Sequence, residues 1–475
     1  MKKTLLVLIL VAAAFCVYAP ALRNEIVWDD TALILRDPFI RSWWLIPEGF
    51  QHFLFTDATA SDFYRPVQRL TYTLDYAAYG VRPFGYHLTS IAWHAAAVVA
   101  LFFLATELLR YFGADERRNR FVSFGAALVW AIHPAHTGAV AYISGRSDAL
   151  AAAFGFAGLA VGILSRRAAG VRQWVCIAVA AALLLLSALS KEAGLTFLAL
   201  WVVTFVLGRS WKNVGYAAIA SLFVLAIYLS LRLGAEHVPP ERIHPPAPLL
   251  VRPILVARAL AEYTYLTFAP VNLHMERDVE THPNGFGNES LAGSAWRELE
   301  TLAGLVLLSA FIYWLVRERK CDRAVFGCLV LAAITYLPIS GVVPLNATIA
   351  EHWLYLPSGF LFVAVALCVA RLAASERRYS LRFGVATAAI LTLWALFLGA
   401  RCFIRTFDWK DQRTFFQNAI AAGGDSPRML INLAGVEMEQ NRLDAAKDYL
   451  QAALAKEPDQ PLAVLNLGAV AVKQG

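Results

Sequence analysis

The chain carries the run HLTSIAWHAAAVVALFFLATELL at His87–Leu109, 23 residues of almost unbroken apolar character. An α-helix needs about 20 such residues to cross the hydrocarbon of a bilayer. Further apolar runs lie at Thr4–Tyr18, Phe121–Ile132, Ala149–Leu164, Trp174–Leu189, Leu195–Leu207, Val214–Leu231, Thr301–Val316, Ala324–Val343, Pro357–Val369 and Phe383–Ala400. Together they predict eleven spans. Hydrophobic residues make up 59% of the 475 and charged residues 16%, with a mean hydropathy of +0.54. A soluble domain is about half apolar and a quarter charged. Too little charge remains to cover a soluble surface, so soluble enzymes, disordered scaffolds and disulfide-stapled secreted proteins are excluded. Barrel strands would alternate with period two over about 10 residues; these runs are solid. The fold class is therefore an all-α polytopic membrane protein, since helices satisfy their backbone within lipid.

The formal charge is +7 and the pI about 9.1. This excess reads as topology rather than nucleic-acid binding, because Lys and Arg collect in cytoplasmic loops. With the N-terminus inside, the clusters Arg110/Arg117/Arg118/Arg120, Arg166/Arg167/Arg172, Arg209/Lys212, Arg317/Arg319/Lys320/Arg323 and Arg371/Arg377/Arg378/Arg382 all fall on one side. Met1-Lys2-Lys3 and the following run resemble a signal peptide, but read better as an uncleaved first span. Ile254–Pro270 is apolar enough to be a twelfth span, yet it contains Arg258 and Glu262. A span there would push the Arg317–Arg323 cluster outside, so an interfacial or re-entrant helix is predicted. Cys16, Cys176, Cys328 and Cys368 lie inside apolar runs, Cys321 in a basic loop and Cys402 at the end of the last span. Neither a disulfide nor a cysteine metal site is expected.

Two outer loops are long, about 22–86 and 232–300, the second including the proline-rich Pro239–Pro248. In the first, Ile40, Trp43, Trp44 and Pro47 recur at helical spacing and predict a helix lying in the interface. After Ala400 the composition turns soluble, which suggests a membrane domain over 1–403 and a separate region over 404–475. That region repeats with a 34-residue period: Leu430 with Val464, Asn432 with Asn466, Leu433 with Leu467, Ala434 with Gly468. Ala446, Leu450, Ala453 and Pro458 occupy the small, large, small and proline positions of a tetratricopeptide (TPR) repeat. Phe416 and Ala419 match Leu450 and Ala453 one period earlier, predicting a half-repeat before it. TPR surfaces bind peptides or proteins, and this one would do so outside the membrane.

Ionisable residues cluster at the outer ends of the spans: Trp28-Asp29-Asp30; Tyr64-Arg65-Pro66 and Arg69; His133 and His136; Arg146-Ser147-Asp148; Lys191-Glu192; Glu351-His352. In a membrane protein such clustering is a functional signal. Each has an ordinary explanation. Asp30 would cap a helix opened by Thr31-Ala32-Leu33, a lone His sits in the interface, and Arg146–Asp148 and Lys191–Glu192 are rim or turn pairs. Taken together they are hard to read as solvated turns, which favour Gly, Ser and Asn. The joint chemistry suits a charged, lipid-linked substrate handled from the outer face. An acid such as Asp29 or Asp30 can deprotonate an acceptor hydroxyl, and cations can hold a phosphate leaving group. Arg65, Arg69, Arg146 and Lys191 with His133, His136, Asp148, Glu192, Glu351 and His352 are the candidate donor-phosphate and substrate contacts. The acidic pair Asp29/Asp30 is alternatively able to hold a divalent cation. No HExxH, P-loop or GxGxxG occurs in a credible context.

Trp28-Asp29-Asp30, Tyr64-Arg65-Pro66-Val67, Asp75-Tyr76, Gly85-Tyr86-His87, His133-Pro134-Ala135-His136-Thr137, Gly145-Arg146-Ser147-Asp148, Ser190-Lys191-Glu192 and Glu351-His352-Trp353-Leu354-Tyr355-Leu356-Pro357-Ser358 occur in that order. This set resembles the TMTC family, transmembrane TPR-containing O-mannosyltransferase-like proteins of the GT-C glycosyltransferase superfamily. The resemblance covers nearly the whole chain. It implies a GT-C-like bundle and a polyprenyl- or dolichyl-phosphate sugar donor of mannose type. It also implies inverting transfer to a hydroxyl of a protein or glycan acceptor, with the base in the first-loop acidic pair. The short tail and basic N-terminus look bacterial, which points to undecaprenyl phosphate as carrier, an inner-membrane location and a periplasmic tail. Two other classes compete. An O-antigen ligase- or polymerase-like enzyme would carry its main loop late in the chain, and here that loop comes first. A membrane-anchored TPR scaffold needs one or two spans. No nucleic-acid partner is expected.

Overall fold

The computed structural model describes residues 2–55, 62–114, 116–236, 249–277, 279, 291–343, 345, 347–375 and 381–475. Pro239–Pro248, Arg377 and Arg378 lie outside the described residues. The expected apolar runs fall on helices, except that the run Ala324–Val343 outlasts its helix, which ends at Tyr336. In chain order these are α1 (Lys3–Tyr18), then α2 (Pro66–Tyr79) in the first outer loop, α3 (Pro83–Tyr111) and α4 (Glu116–Ala131). α5 (Arg146–Ser165), α6 (Val171–Ser190), α7 (Thr196–Leu207) and α8 (Trp211–Leu233) follow. α9 (Arg252–Phe268), α10 (Leu291–Cys321), α11 (Arg323–Tyr336), α12 (Tyr355–Ser375) and α13 (Leu381–Thr406) complete the bundle. Among the described residues, eight helical segments are long and apolar enough to cross a membrane, and the chain is an integral membrane protein. α4, α7 and α11, with 16, 12 and 14 residues, are shorter.

Lipid gives apolar helices little reason to prefer one another, so close packing through small residues decides their contacts. α5 shows this best. It lies between α3 and α6. A Cβ at Gly155 would run into the Phe197 ring, and one at Gly162 into Trp201 of α7. Large side chains fill the gaps that these glycines open, and a single buried cluster joins most of the bundle.

Helix starts follow local chemistry. Pro66 and Pro83 stand in the first turns of α2 and α3, where a missing N–H costs nothing. Asp322 caps α11 by accepting from the amides of Ala324 and Val325. The basic connections gather at one end of the bundle. There Glu107 accepts from Arg110 and Arg167, both at 2.9 Å. Arg323 donates to the Leu207 carbonyl at 3.0 Å, and Arg371 donates to both oxygens of Glu318. The long loops occupy the other end.

Three details depart from expectation. The Ile40–Pro47 segment is not one helix. It breaks into short turns at Pro38–Ile40 and Trp43–Leu45, then a helical turn at Ile46–Phe50. Asp37 and Ser42 cap the turns, so Ile40 is buried while Trp44 is 91% exposed. Second, α9 packs along α10 and buries Arg258, which donates to Thr301 and the Val279 carbonyl. α9 is not among the helices apolar enough to span. Third, Glu276–Arg277 and Ile349–Ala350 form a two-residue antiparallel pair, β1 and β2, with Glu276 opposite Ala350. It ties the second loop to the segment before Glu351.

The tail folds as α14 (Gln412–Ala421), α15 (Pro427–Glu439), α16 (Leu443–Lys456) and α17 (Pro461–Gln474). Ala446, Leu450 and Ala453 are fully buried, as the repeat pattern requires. α13 runs on to Thr406 with no break at 403. Trp409, Phe415, Phe416, Met429 and Leu433 join the same apolar cluster as the bundle. The tail is thus packed onto the loop end of the membrane domain.

Candidate active site

A cavity of about 400 Å³ opens at the loop end. Much of its polar lining comes from three connections between helices. Asp29 follows α1, Arg65 precedes α2, Ser147 and Asp148 stand in the first turn of α5, and Lys191-Glu192 join α6 to α7. His352, Glu276 and Arg428 complete it. The ends of α5, α6 and α2 converge here because the packing of α5 on α6 brings the connections level.

Two ion pairs form one wall. Arg65 donates through Nε to Glu192 Oε2 at 3.0 Å and approaches the Ser147 hydroxyl at 3.5 Å. Glu192 also accepts from the Tyr64 amide. Lys191 Nζ lies 2.7 Å from both oxygens of Asp148. Burial lowers the Lys191 pKa below the usual lysine range, against the pull of Asp148. Both cations face the cavity at partial exposure, 11% of each side chain, so each has a side turned to the open space.

Asp29 stands free of any ion pair among the described contacts. Burial raises its pKa above the ordinary carboxylate range, opposed by the nearby Arg428 guanidinium, the Tyr142 hydroxyl and Arg65. Trp28, just before it, holds a left-handed φ of 56°, a strained conformation for a bulky residue. Its ring stacks with Tyr142 and Phe415, at centroid distances of 6.0 and 5.7 Å. Asp30 points the other way. Its carboxylate accepts from the amides of Ser144 at 2.6 Å and Ile143 at 3.3 Å, and burial pushes its pKa up to about 8. It therefore fastens the first loop to the turn before α5, and its side chain does not cap the Thr31–Arg36 turn. Both Asp30 oxygens accept from backbone N–H groups, whereas Asp29 lines the cavity.

Six expected site residues do not line the cavity. Arg69 is buried, paired with Asp37 at 2.9 Å and donating to the carbonyls of Gly49, His52, Phe53 and Leu54. Arg146 is fully buried and engages Asp75 at 2.5 Å, Thr71, Ser90 and the Tyr86 carbonyl. Its guanidinium is used up inside the protein, which corrects its expected contact with the donor phosphate. His133 bonds the Thr267 carbonyl, and His136 bonds the Trp130 carbonyl and Ser358. Burial holds both rings well below the usual histidine pKa. Glu351 accepts from the His274 amide at 2.5 Å and faces Arg405 at 3.6 Å, bracing β1 against α13. Asp30 is the sixth.

Two residues of the cavity were not anticipated. Glu276 sits on β1, a two-residue strand with no periodic signal. Its pKa is raised by burial and pulled back by Arg428. Arg428 belongs to the tail, where a TPR pattern gives no reason to look for a site residue. It lies 3.4 Å from Glu276 and 4.8 Å from the centre of the Trp28 ring.

A tetratricopeptide repeat family model matches residues 413–475. Over 457 residues the chain is 26% identical to protein O-mannosyl-transferase F38B6.6 of Caenorhabditis elegans, covering 94% of this chain and 62% of that one. Mouse protein O-mannosyl-transferase TMTC3 is 25% identical over 504 residues, 98% of this chain and 52% of that one. The chain is thus similar along nearly its whole length to the family its motifs resemble, and spans about half to three-fifths of these relatives. Among solved structures it is similar to ArnT from Cupriavidus metallidurans bound to undecaprenyl phosphate. That match has 13% identity and a TM-score of 0.44, and covers 97% of this chain and 82% of that one.

Proposed function

We propose that the chain is an inverting, GT-C-type glycosyltransferase. It moves a sugar, of mannose type by family likeness, from a polyprenyl-phosphate donor to an acceptor hydroxyl on protein. The observation that carries this reading is the cavity itself: an unpaired carboxylate, Asp29, shares it with two ligand-facing cations, Arg65 and Lys191. The named activity of the relatives above supports the same reading.

The chemistry follows from these groups. Asp29 takes the proton of the acceptor hydroxyl as general base. The oxygen attacks the anomeric carbon from the face opposite the phosphate, the bond to the phosphate oxygen breaks, and the configuration inverts. The released lipid phosphate carries the electron pair, and Arg65 and Lys191 stabilise that charge through charge-assisted hydrogen bonds. Raising Asp29 above the ordinary carboxylate range makes it a stronger base than a solvated Asp.

The same reading places the cavity and tail on the outer side, since the basic connections gather at the opposite end. For a bacterial chain that means the inner membrane, undecaprenyl phosphate and a periplasmic tail. Acceptor capture by the TPR region belongs to this proposal too. The test is to supply purified full-length protein with defined polyprenyl-phosphate sugars and acceptor, and to measure release of lipid phosphate with glycosylated product. Release coupled to product is expected. Failure with every donor would overturn the reading.

A further inference from the structure

The tail reaches the turn that carries Asp29 at several points. The Glu25 amide donates to the Lys410 carbonyl at 2.8 Å, and the Asn24 side chain to the Thr406 carbonyl at 3.0 Å. Trp28 is then held by tail residues on its ring. Phe415 stacks on it at 5.7 Å and 29°, Phe416 meets it edge-on at 6.2 Å, and the Arg428 guanidinium lies over it at 4.8 Å. Trp409 continues the stack, 4.4 Å from Phe415 and 5.0 Å from Tyr142. Arg428 is tethered in turn by Glu276 of β1, and its α-helix starts at a Ser426 cap.

These contacts surround a residue whose backbone is strained. A tryptophan at φ 56° persists only where its surroundings over-determine it. The groups that do so here are Tyr142 from the membrane domain and Phe415, Phe416 and Arg428 from the tail. Asp29 is the next residue along the chain.

We propose that Phe415 and Arg428 of the TPR region are positioning residues of the transfer site: they clamp Trp28 in its left-handed turn and so hold Asp29 toward the cavity. This rests on the glycosyl-transfer reading for its kinetic consequence, but not for its structural one. The tail is then part of the catalytic unit as well as a surface for partners. Through the clamp, a ligand that displaces Arg428 from Trp28 would alter the position of the base.

The experiment compares full-length wild type with Arg428→Met, Arg428→Lys and Phe415→Leu by two readouts. Hydrogen–deuterium exchange follows the amides of 24–33, with 100–110 at the basic end as control. Steady-state kinetics gives kcat and the KM for the lipid donor. A cation over an aromatic ring contributes modestly, so Arg428→Met is expected to lower kcat about 3- to 30-fold with donor KM little changed. Arg428→Lys should recover most of the loss, because it restores the cation over the ring. Exchange in 24–33 should accelerate in Arg428→Met and Phe415→Leu while 100–110 stays as in wild type. Should Phe415→Leu fail to fold, the two Arg428 variants decide alone. Unchanged exchange in 24–33, or an unchanged kcat in an active enzyme, overturns the clamp. Faster exchange in a chain whose wild type transfers no sugar keeps the clamp and overturns the glycosyl-transfer reading instead.

Discussion

Arg146 and Arg65 stand in motifs of the same kind, each at the start of a helix at the loop end, yet the structure uses them differently. Arg146 is fully buried and spends its donors on Asp75, Thr71, Ser90 and a carbonyl. Arg65 pairs with Glu192 on a cavity wall and keeps a face open. The first cation is structural glue between α2, α3 and α5; the second is available to a ligand. The same contrast separates Asp30 from Asp29, adjacent in sequence and opposite in role. Position at the outer rim is therefore insufficient to assign a residue to the site. What distinguishes the two sets is whether groups inside the protein already satisfy the charge.

The sharpest way to break this comparison is to remove Arg146. Arg146→Met leaves the buried Asp75 without its cation, which typically costs about 3–5 kcal/mol. Thermal unfolding in detergent should show a large loss of stability. A variant that folds like wild type but binds a lipid-phosphate sugar poorly would place Arg146 in the site after all. Arg65→Gln and Lys191→Met should instead lower donor affinity. Each removes a charge-assisted contact worth about 1.5–3 kcal/mol, so affinity should fall roughly tenfold or more. Unfolding temperature should change little in Arg65→Gln and fall in Lys191→Met, which leaves the buried Asp148 without its cation. Equal donor binding in both variants would remove the cation wall from the account.

A smaller effect is expected at Asp30. Asn there turns an –NH2 group toward the amides of Ile143 or Ser144, and leaving such a donor unmet costs about 1–3 kcal/mol. Stability should drop and most turnover should survive at a permissive temperature. Abolished turnover with intact folding would make Asp30 the base instead. The least change comes with pH. Asp29 acts deprotonated, and its pKa is raised by burial. Turnover should therefore rise as pH increases through that raised value, with its acidic limb above the ordinary aspartate range of about 3.9. Two neighbouring carboxylates, Asp30 and Glu276, are also raised by burial and interact with Asp29. A limb at or below 3.9 would contradict the environment described for Asp29.

The bundle was legible because apolar runs and one-sided charge are long signals: the expected runs fall on helices, apart from the end of Ala324–Val343, and Leu450 and Ala453 are buried where the repeat demands. The site was legible in part. Asp29, Arg65, Asp148, Lys191, Glu192 and His352 meet in one cavity, although they come from four connections. What the sequence could not reveal was saturation. Nothing local tells Arg69 from Arg65, because the four carbonyls that hold Arg69 come from a turn 15–20 residues away. The Ile40–Pro47 segment misled for a simpler reason, since Pro38, Ser42 and Pro47 interrupt a pattern that spacing alone reads as continuous. Glu276 and Arg428 were invisible because they reach the cavity only through tertiary docking of a two-residue strand and the tail.

The most direct test of the central claim is the turnover of Asp29→Asn with a saturating polyprenyl-phosphate sugar, beside its donor affinity and unfolding temperature. Asn keeps the shape and removes the base. The account predicts a loss of about 10²-fold or more in turnover, with donor binding and folding close to wild type. Near-wild-type turnover would contradict it, and Glu276, another carboxylate of the cavity, would then be the acid to examine.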